Sequence, residues 1–123
     1  MTTSQSASPA AGAEARITPI SDAPRYVAPR HFDMDSWRLQ GGDASAFGCQ
    51  VGLSVFHPGG GAEHGASTVD RVYVVTAGEI TLTMAGEDRT LRAYDSCFIP
   101  AGQARSLKNH GVLAATLITI IAS

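Results

Sequence analysis

The chain has 123 residues, of which 44% are hydrophobic and 16% charged, with a formal net charge of −2 at pH 7. That length allows one domain, which buries roughly 60–70% of the unfolded chain's surface around a single core. The slight acidity excludes the basic face that a nucleic-acid partner requires. No apolar run reaches the roughly 18–20 residues of a membrane-spanning helix.

Residues 1–24 are rich in Ala, Ser, Thr and Pro without periodicity, so they are expected to form a flexible tail, with residues 25–123 as the single domain. The start of the chain lacks the charged beginning and apolar middle of a secretory signal, which makes the cytoplasm the expected compartment. The stretch 24–30 carries prolines at 24 and 29 and is expected to be extended. Residues 31–39 fit either a strand or a helical turn. Within them Trp37, the single tryptophan, is expected to anchor the core or a subunit interface.

Gly41-Gly42-Asp43 is a turn signal. Residues 47–56 read as a strand whose odd positions, Cys49, Val51, Leu53 and Val55, form one apolar face, and Pro58 with the three following glycines should end it. Residues 71–75 predict a central strand, followed by a tight turn at Ala77-Gly78-Glu79. Ile80, Leu82 and Met84 then alternate with polar or small residues in a half-buried strand, closed by the hairpin signal Gly86-Glu87-Asp88. After a turn at Tyr94-Asp95 come a short buried strand at 96–99, the turn Pro100-Ala101-Gly102, a strand at 105–108, the turn Asn109-His110-Gly111 and a last apolar strand at 112–121. Cys49 and Cys97 match no zinc or redox spacing and are expected to be buried free thiols.

Short strands separated by closely spaced glycine and proline turns predict a small all-β domain, closed or sandwiched. Pro100, Gly102 and Asn109, together with Gly59, Gly78 and the strand Tyr73-Val74-Val75, fall in the register of two signature segments. Over roughly residues 45–120 the chain thereby resembles the cupin superfamily, whose fold is a double-stranded β-helix, the jelly roll or cupin barrel. That family commonly holds a divalent metal with three histidines and a glutamate, a set suited to iron, manganese, nickel or zinc. Here the corresponding positions are Gly65, Ser67, Arg71 and Arg105; a one-residue shift recovers His64 but pairs it with Ala66. Two positions thus carry a permanent positive charge that repels a cation. The expectation is no cofactor. The alternative is a divalent metal such as Zn, Fe, Mn or Ni at a non-standard site made from His57, His64 and Glu63, with Asp70 near them.

The resemblance implies that Arg71 and Arg105 point into the barrel, with Tyr73 two residues along the same strand face as Arg71. Arginine forks suit a carboxylate or phosphate, so Arg71, Arg105 and Tyr73 are the candidate ligand-binding residues for a small anionic molecule. His64 and Tyr73 are the candidate catalytic residues, transferring a proton in a metal-independent isomerase, epimerase or cyclase. Other readings stand beside these. Either arginine fits an internal ion pair with Asp70, Glu63, Glu79 or Glu87, and each histidine, His57 and His110 included, fits a surface or loop position. The barrel also fits a non-catalytic binding module, or a metal-dependent enzyme with unusual ligands. A homodimer built on the last strand and the segment around Trp37 is the expected assembly, with no nucleic-acid or membrane partner.

Overall fold

Alternation of inward and outward side chains sets the architecture. In the computed structural model, which describes residues 14–42 and 47–123, nine strands follow one another: β1 (Arg25–Tyr26), β2 (His31–Gly41), β3 (Cys49–Gly65), β4 (Arg71–Ala77), β5 (Glu79–Met84), β6 (Glu87–Arg92), β7 (Ser96–Ile99), β8 (Arg105–Lys108) and β9 (Ala115–Ala122). All pairings are antiparallel, in the order β6-β5-β8-β3-β9-β4-β7, with β2 on the other edge of β3 and β1 on β2. The chain after β6 returns to β4, where Tyr94 N–H donates to Val75 O (2.7 Å) and Val75 N–H to Asp95 O (3.0 Å). The sheet thus curls into the nearly closed jelly-roll barrel that the turn pattern predicts.

The inside of the barrel holds the core: Phe56, Val75, Ile80, Leu82, Leu107 and Leu117 are buried there. The ambiguous stretch 31–39 is strand, continuous within β2. The first helical feature is instead a 3-10 turn at Ile20–Asp22. Of the expected tail, residues 1–13 lie outside the described residues, as does Asp43 of the expected turn. Residues 14–24 are mostly exposed, yet they run along β2, where Gln40 Nε2 donates to Thr18 Oγ1 (3.1 Å) and Arg38 N–H to Pro24 O (2.8 Å).

Four expectations need correction. The strand at 47–56 does not stop at Pro58; β3 runs on through the glycines to Gly65. Phe56 pairs with Met34 and Gly61 with Phe32, so residues 57–60 bulge opposite Asp33 alone, and Pro58 sits where the ladder needs no donor. The hairpin after Met84 turns on Ala85-Gly86, both at positive φ (53° and 77°), which frees Glu87 and Asp88 for β6. The last strand begins at Ala115, because 112–114 form an exposed bend. Both cysteines lie in strands as free thiols, but each is only half-buried. Burial raises the Cys97 thiol's pKa, which keeps it protonated and unreactive.

The apolar face of β3 at Cys49, Val51, Leu53 and Val55 is the outer one. The inward positions are Gly52, Ser54 and Phe56. Cross-strand partners share a face, so Leu53, Ile118 and Val74 form one outer row and Val51, Ile120 and Val72 another, with Phe98 beside Val72. These side chains are half-buried and Phe98 is exposed, which leaves a broad apolar sheet face.

Candidate functional site

A cavity of about 440 Å³ opens at one end of the barrel, the size of a small-molecule site. Its wall comes from the inward positions of β4 and β9, Arg71 and Tyr73 on the first and Thr119 and Ile121 on the second. Arg105 enters from β8, Ser54 and Phe56 from β3, and His31 from the start of β2. Arg30 and Glu63 stand at the mouth as an exposed pair 4.0 Å apart, of little energetic weight.

Tyr73 sits at the centre. Arg105 Nε donates to Tyr73 Oη at 2.9 Å, Arg71 Nη1 donates to the same oxygen at 3.4 Å, and the Arg105 guanidinium lies 6.0 Å from the Tyr73 ring centroid. Two donors occupy both lone pairs of the phenol oxygen, so its O–H is left to donate into the cavity. Arg105 Nη1 also donates to Gly65 O at 3.1 Å. Arg71 Nε is buried without a partner. Among the described residues neither guanidinium has a carboxylate within ion-pair distance: Glu79 pairs with Arg92, Glu63 with Arg30, and Asp70 accepts from Ala101 N–H. The internal ion pair considered for each arginine is not formed.

His64 is where the expectation from sequence and the structure part. The histidine is exposed and outside the cavity lining; its carbonyl accepts a hydrogen bond from Arg30, which fixes the backbone with the ring turned to solvent. The imidazole in the cavity is His31, which sequence reasoning did not single out. Pro29 O lies 2.8 Å from His31 Nδ1, and since a carbonyl only accepts, Nδ1 carries the proton. The ring stacks on Phe56, with centroids 6.2 Å apart. Burial lowers its pKa most, and the positive charges of Arg105 and Arg71 lower it further, against the opposing Pro29 hydrogen bond. His31 is therefore neutral near pH 7, with the Nε2 lone pair available to accept a proton. The available signal was an imidazole just after Pro29, whose carbonyl fixes the ring.

The sign of that shift fixes a pH dependence. Below about 6.5 the unfolded chain takes up a proton that folded His31 resists, so this group's contribution is complete above that pH and falls away as the solution becomes more acid. Melting temperatures measured from pH 8 to 5 are expected to decline below about 6.5, with a shallower decline in His31→Gln. An anion held between Arg71 and Arg105 offsets their repulsion and should flatten the wild-type slope. An identical slope in His31→Gln would count against this assignment.

The family's usual metal set does not fit here. Its positions hold Gly65, Ser67, Arg71 and Arg105, and among the described residues no three His, Cys, Asp or Glu side chains gather to hold an ion. The non-standard set is not brought together either: His57 turns to Asp35, with Nε2 2.8 Å from Oδ2, while Asp35 also takes a bond from Arg25. No helix among the described residues is long and apolar enough to cross a membrane.

Residues 52–121 match the family model described as Cupin domain. Over 108 residues the chain is 40% identical to a Mycobacterium tuberculosis protein named beta-D-galactosidase, covering 87% of this chain and 93% of that one. Among solved structures, the polyketide cyclase RemF from Streptomyces resistomycificus aligns with a TM-score of 0.79 at 12% identity, over 89% of this chain and 80% of that chain. A Cupin 2 conserved barrel domain protein from Salinispora arenicola aligns at 0.74 with 15% identity, over 89% and 90%. At such identities the structural likenesses speak for the fold alone. The sequence match covers more than half the chain and agrees with the barrel and its turns: the protein belongs to the cupin family.

Proposed function

We propose that the barrel cavity binds a small anionic molecule through Arg71, Arg105 and Tyr73, and that His31 and Tyr73 perform metal-independent acid–base chemistry on it. One observation carries this reading: two guanidiniums meet on a single phenol oxygen inside the cavity, and neither is within ion-pair distance of a carboxylate among the described residues. A buried charge without a counter-charge is costly, and an anionic ligand supplies the missing partner. The anion bridges the arginine forks, His31 Nε2 accepts a proton from the bound molecule, and the Tyr73 O–H donates one. Isomerisation, epimerisation and cyclisation are the reaction types that such a pair serves.

A second reading follows from the relative named beta-D-galactosidase, which is 40% identical over nearly its whole length. On that reading the bound molecule is a β-galactoside and the chemistry is hydrolysis. Glycosidases ordinarily use two carboxylates, and the cavity lining here supplies one, Glu63 at the mouth. Purified protein incubated with nitrophenyl β-D-galactopyranoside separates the two readings. Nitrophenolate release that is lost in Glu63→Gln and Tyr73→Phe supports hydrolysis; binding of anions without release favours the first reading. A protein that neither binds an anion nor cleaves the galactoside sinks both.

The assembly proposed is a homodimer through the outer rows of β3, β9 and β4. A sheet face of this breadth and apolarity fits a second copy of itself across a two-fold axis. Sedimentation is expected to give a dimer at micromolar concentration. Ile118→Glu, at the centre of the face, should yield monomer by weakening association at least about 100-fold. A wild-type monomer at that concentration would end the proposal.

A further inference from the structure

Thr119 stands on the inward face of β9, directly across from Tyr73 on β4 and from Gly52 on β3. It is 6% exposed, lines the cavity, and its Oγ1 is buried with no hydrogen-bond partner. Native structures rarely leave a buried hydroxyl orphaned, so a partner from outside the chain is the natural inference. Gly52 lets two hydroxyls close over the strand: a Cβ there would come within 2.8 Å of Thr119 Oγ1 and 3.1 Å of Tyr26 Oη. The two hydroxyls therefore lie over the bare backbone of β3 at Gly52, both on the cavity lining. Ser54, the next inward residue of that strand, is also buried and on the same wall.

We propose that Thr119, with Tyr26 and Ser54, forms a hydroxyl-reading floor beneath the arginine pair, and that the occupant is a monosaccharide bearing an anionic group. This rests on the reading that Arg71 and Arg105 hold an anion. The carboxylate or phosphate lies between the two guanidiniums, where it gives the buried, unpartnered Arg71 Nε an acceptor. The ring hydroxyls turn to the floor, where each can both donate and accept. Thr119 is a specificity residue in this arrangement, because a ligand lacking the hydroxyl leaves its Oγ1 orphaned as it is now. A cavity of about 440 Å³ accommodates one such ring.

Calorimetric titration with three probes tests this: D-galacturonate, D-galactose 6-phosphate and cyclohexanecarboxylate, an acid of similar ring size without hydroxyls. Wild-type protein is expected to bind one or both acidic sugars at least about 10-fold more tightly than cyclohexanecarboxylate. The comparison between the two sugars tells a carboxylate site from a phosphate site. Thr119→Val should erase most of that preference while leaving cyclohexanecarboxylate affinity unchanged and raising the melting temperature slightly, since an unpaired hydroxyl is lost. Gly52→Ala, whose methyl group crowds both hydroxyls, should weaken the sugars selectively. Equal binding of all three probes, or a preference untouched in Thr119→Val, overturns the hydroxyl floor and leaves the anion site standing. If no probe binds at all, the anion reading falls, and this inference with it.

Discussion

Arg105→Met is expected to weaken binding of an anionic ligand on the order of 100-fold, without destabilising the protein free of ligand. Arg105 is 7% exposed, anchored to Tyr73 Oη and to Gly65 O, and has no carboxylate partner. A charge-assisted hydrogen bond to a desolvated anion is worth up to about 3 kcal/mol, which converts to that loss. In the free protein the balance runs the other way. The isolated guanidinium carries a desolvation cost, and a methionine of similar length fills its space without a charge, so the melting temperature should hold or rise. Arg105→Lys keeps the charge but loses the planar fork, and intermediate affinity is expected. Arg71→Met should weaken binding in the same direction. The alternative is a purely structural arginine. It makes the opposite forecast, a clear drop in melting temperature with anion affinity unchanged, and differential scanning calorimetry beside titration distinguishes the two.

Much of this barrel was legible because its signals are local. Alternation marked β5, β-branched and aromatic residues marked β4, a long apolar run marked β9, and Pro100, Gly102 and Asn109 fell in register because each has its own backbone duty. The run Pro58-Gly59-Gly60-Gly61 was harder, since glycine has two meanings. At Gly60 and Gly61 a Cβ would come 2.1 Å from Asp33 O and from Leu107 O, so these glycines report a close approach of neighbouring strands rather than the end of one. β6 gave no sign because it pairs only with β5 and is nearly all exposed, which removes the alternation. In the site, Arg71, Tyr73 and Arg105 could be placed from the family's register, which fixes inward positions even where the residue type has changed. His31 could not. It reaches the cavity through the pairing of β2 with the far end of β3, a contact between residues about thirty apart that no local pattern encodes. Thr119 carried a quieter sign, a hydroxyl between Leu117 and Ile121 on the otherwise apolar inward face of its strand.

Asn109→Ala is expected to cost about 3 kcal/mol and to lower the melting temperature by roughly 12–24 °C. Asn109 is 1% exposed and fully engaged. Its Nδ2 donates to Phe56 O (3.0 Å) and Leu113 O (2.9 Å), and its Oδ1 accepts from Gly111 N–H (2.9 Å). Its backbone is also paired, with its N–H on Gly60 O and its carbonyl on Gly59 N–H. One side chain thus ties the bulge of β3 to the end of β8 and to the bend before β9. Truncation removes a donor from the buried Phe56 carbonyl and breaks the part-buried bonds to Leu113 O and Gly111 N–H. The Asp variant sharpens the test. At neutral pH it keeps the acceptor for Gly111 but turns a carboxylate oxygen toward two carbonyl oxygens, so Asn109→Asp should be at least as unstable as the Ala variant. It should recover partly as the solution is acidified and the carboxyl becomes a donor. The effect should also reach the cavity. Phe56, whose carbonyl Asn109 holds, is the ring on which His31 stacks. Loosening the bulge exposes that imidazole, and its titration, followed by NMR, should move up toward the ordinary histidine range in Asn109→Ala. A His31 pKa that stays low despite a large stability loss would mean that the brace and the site are independent.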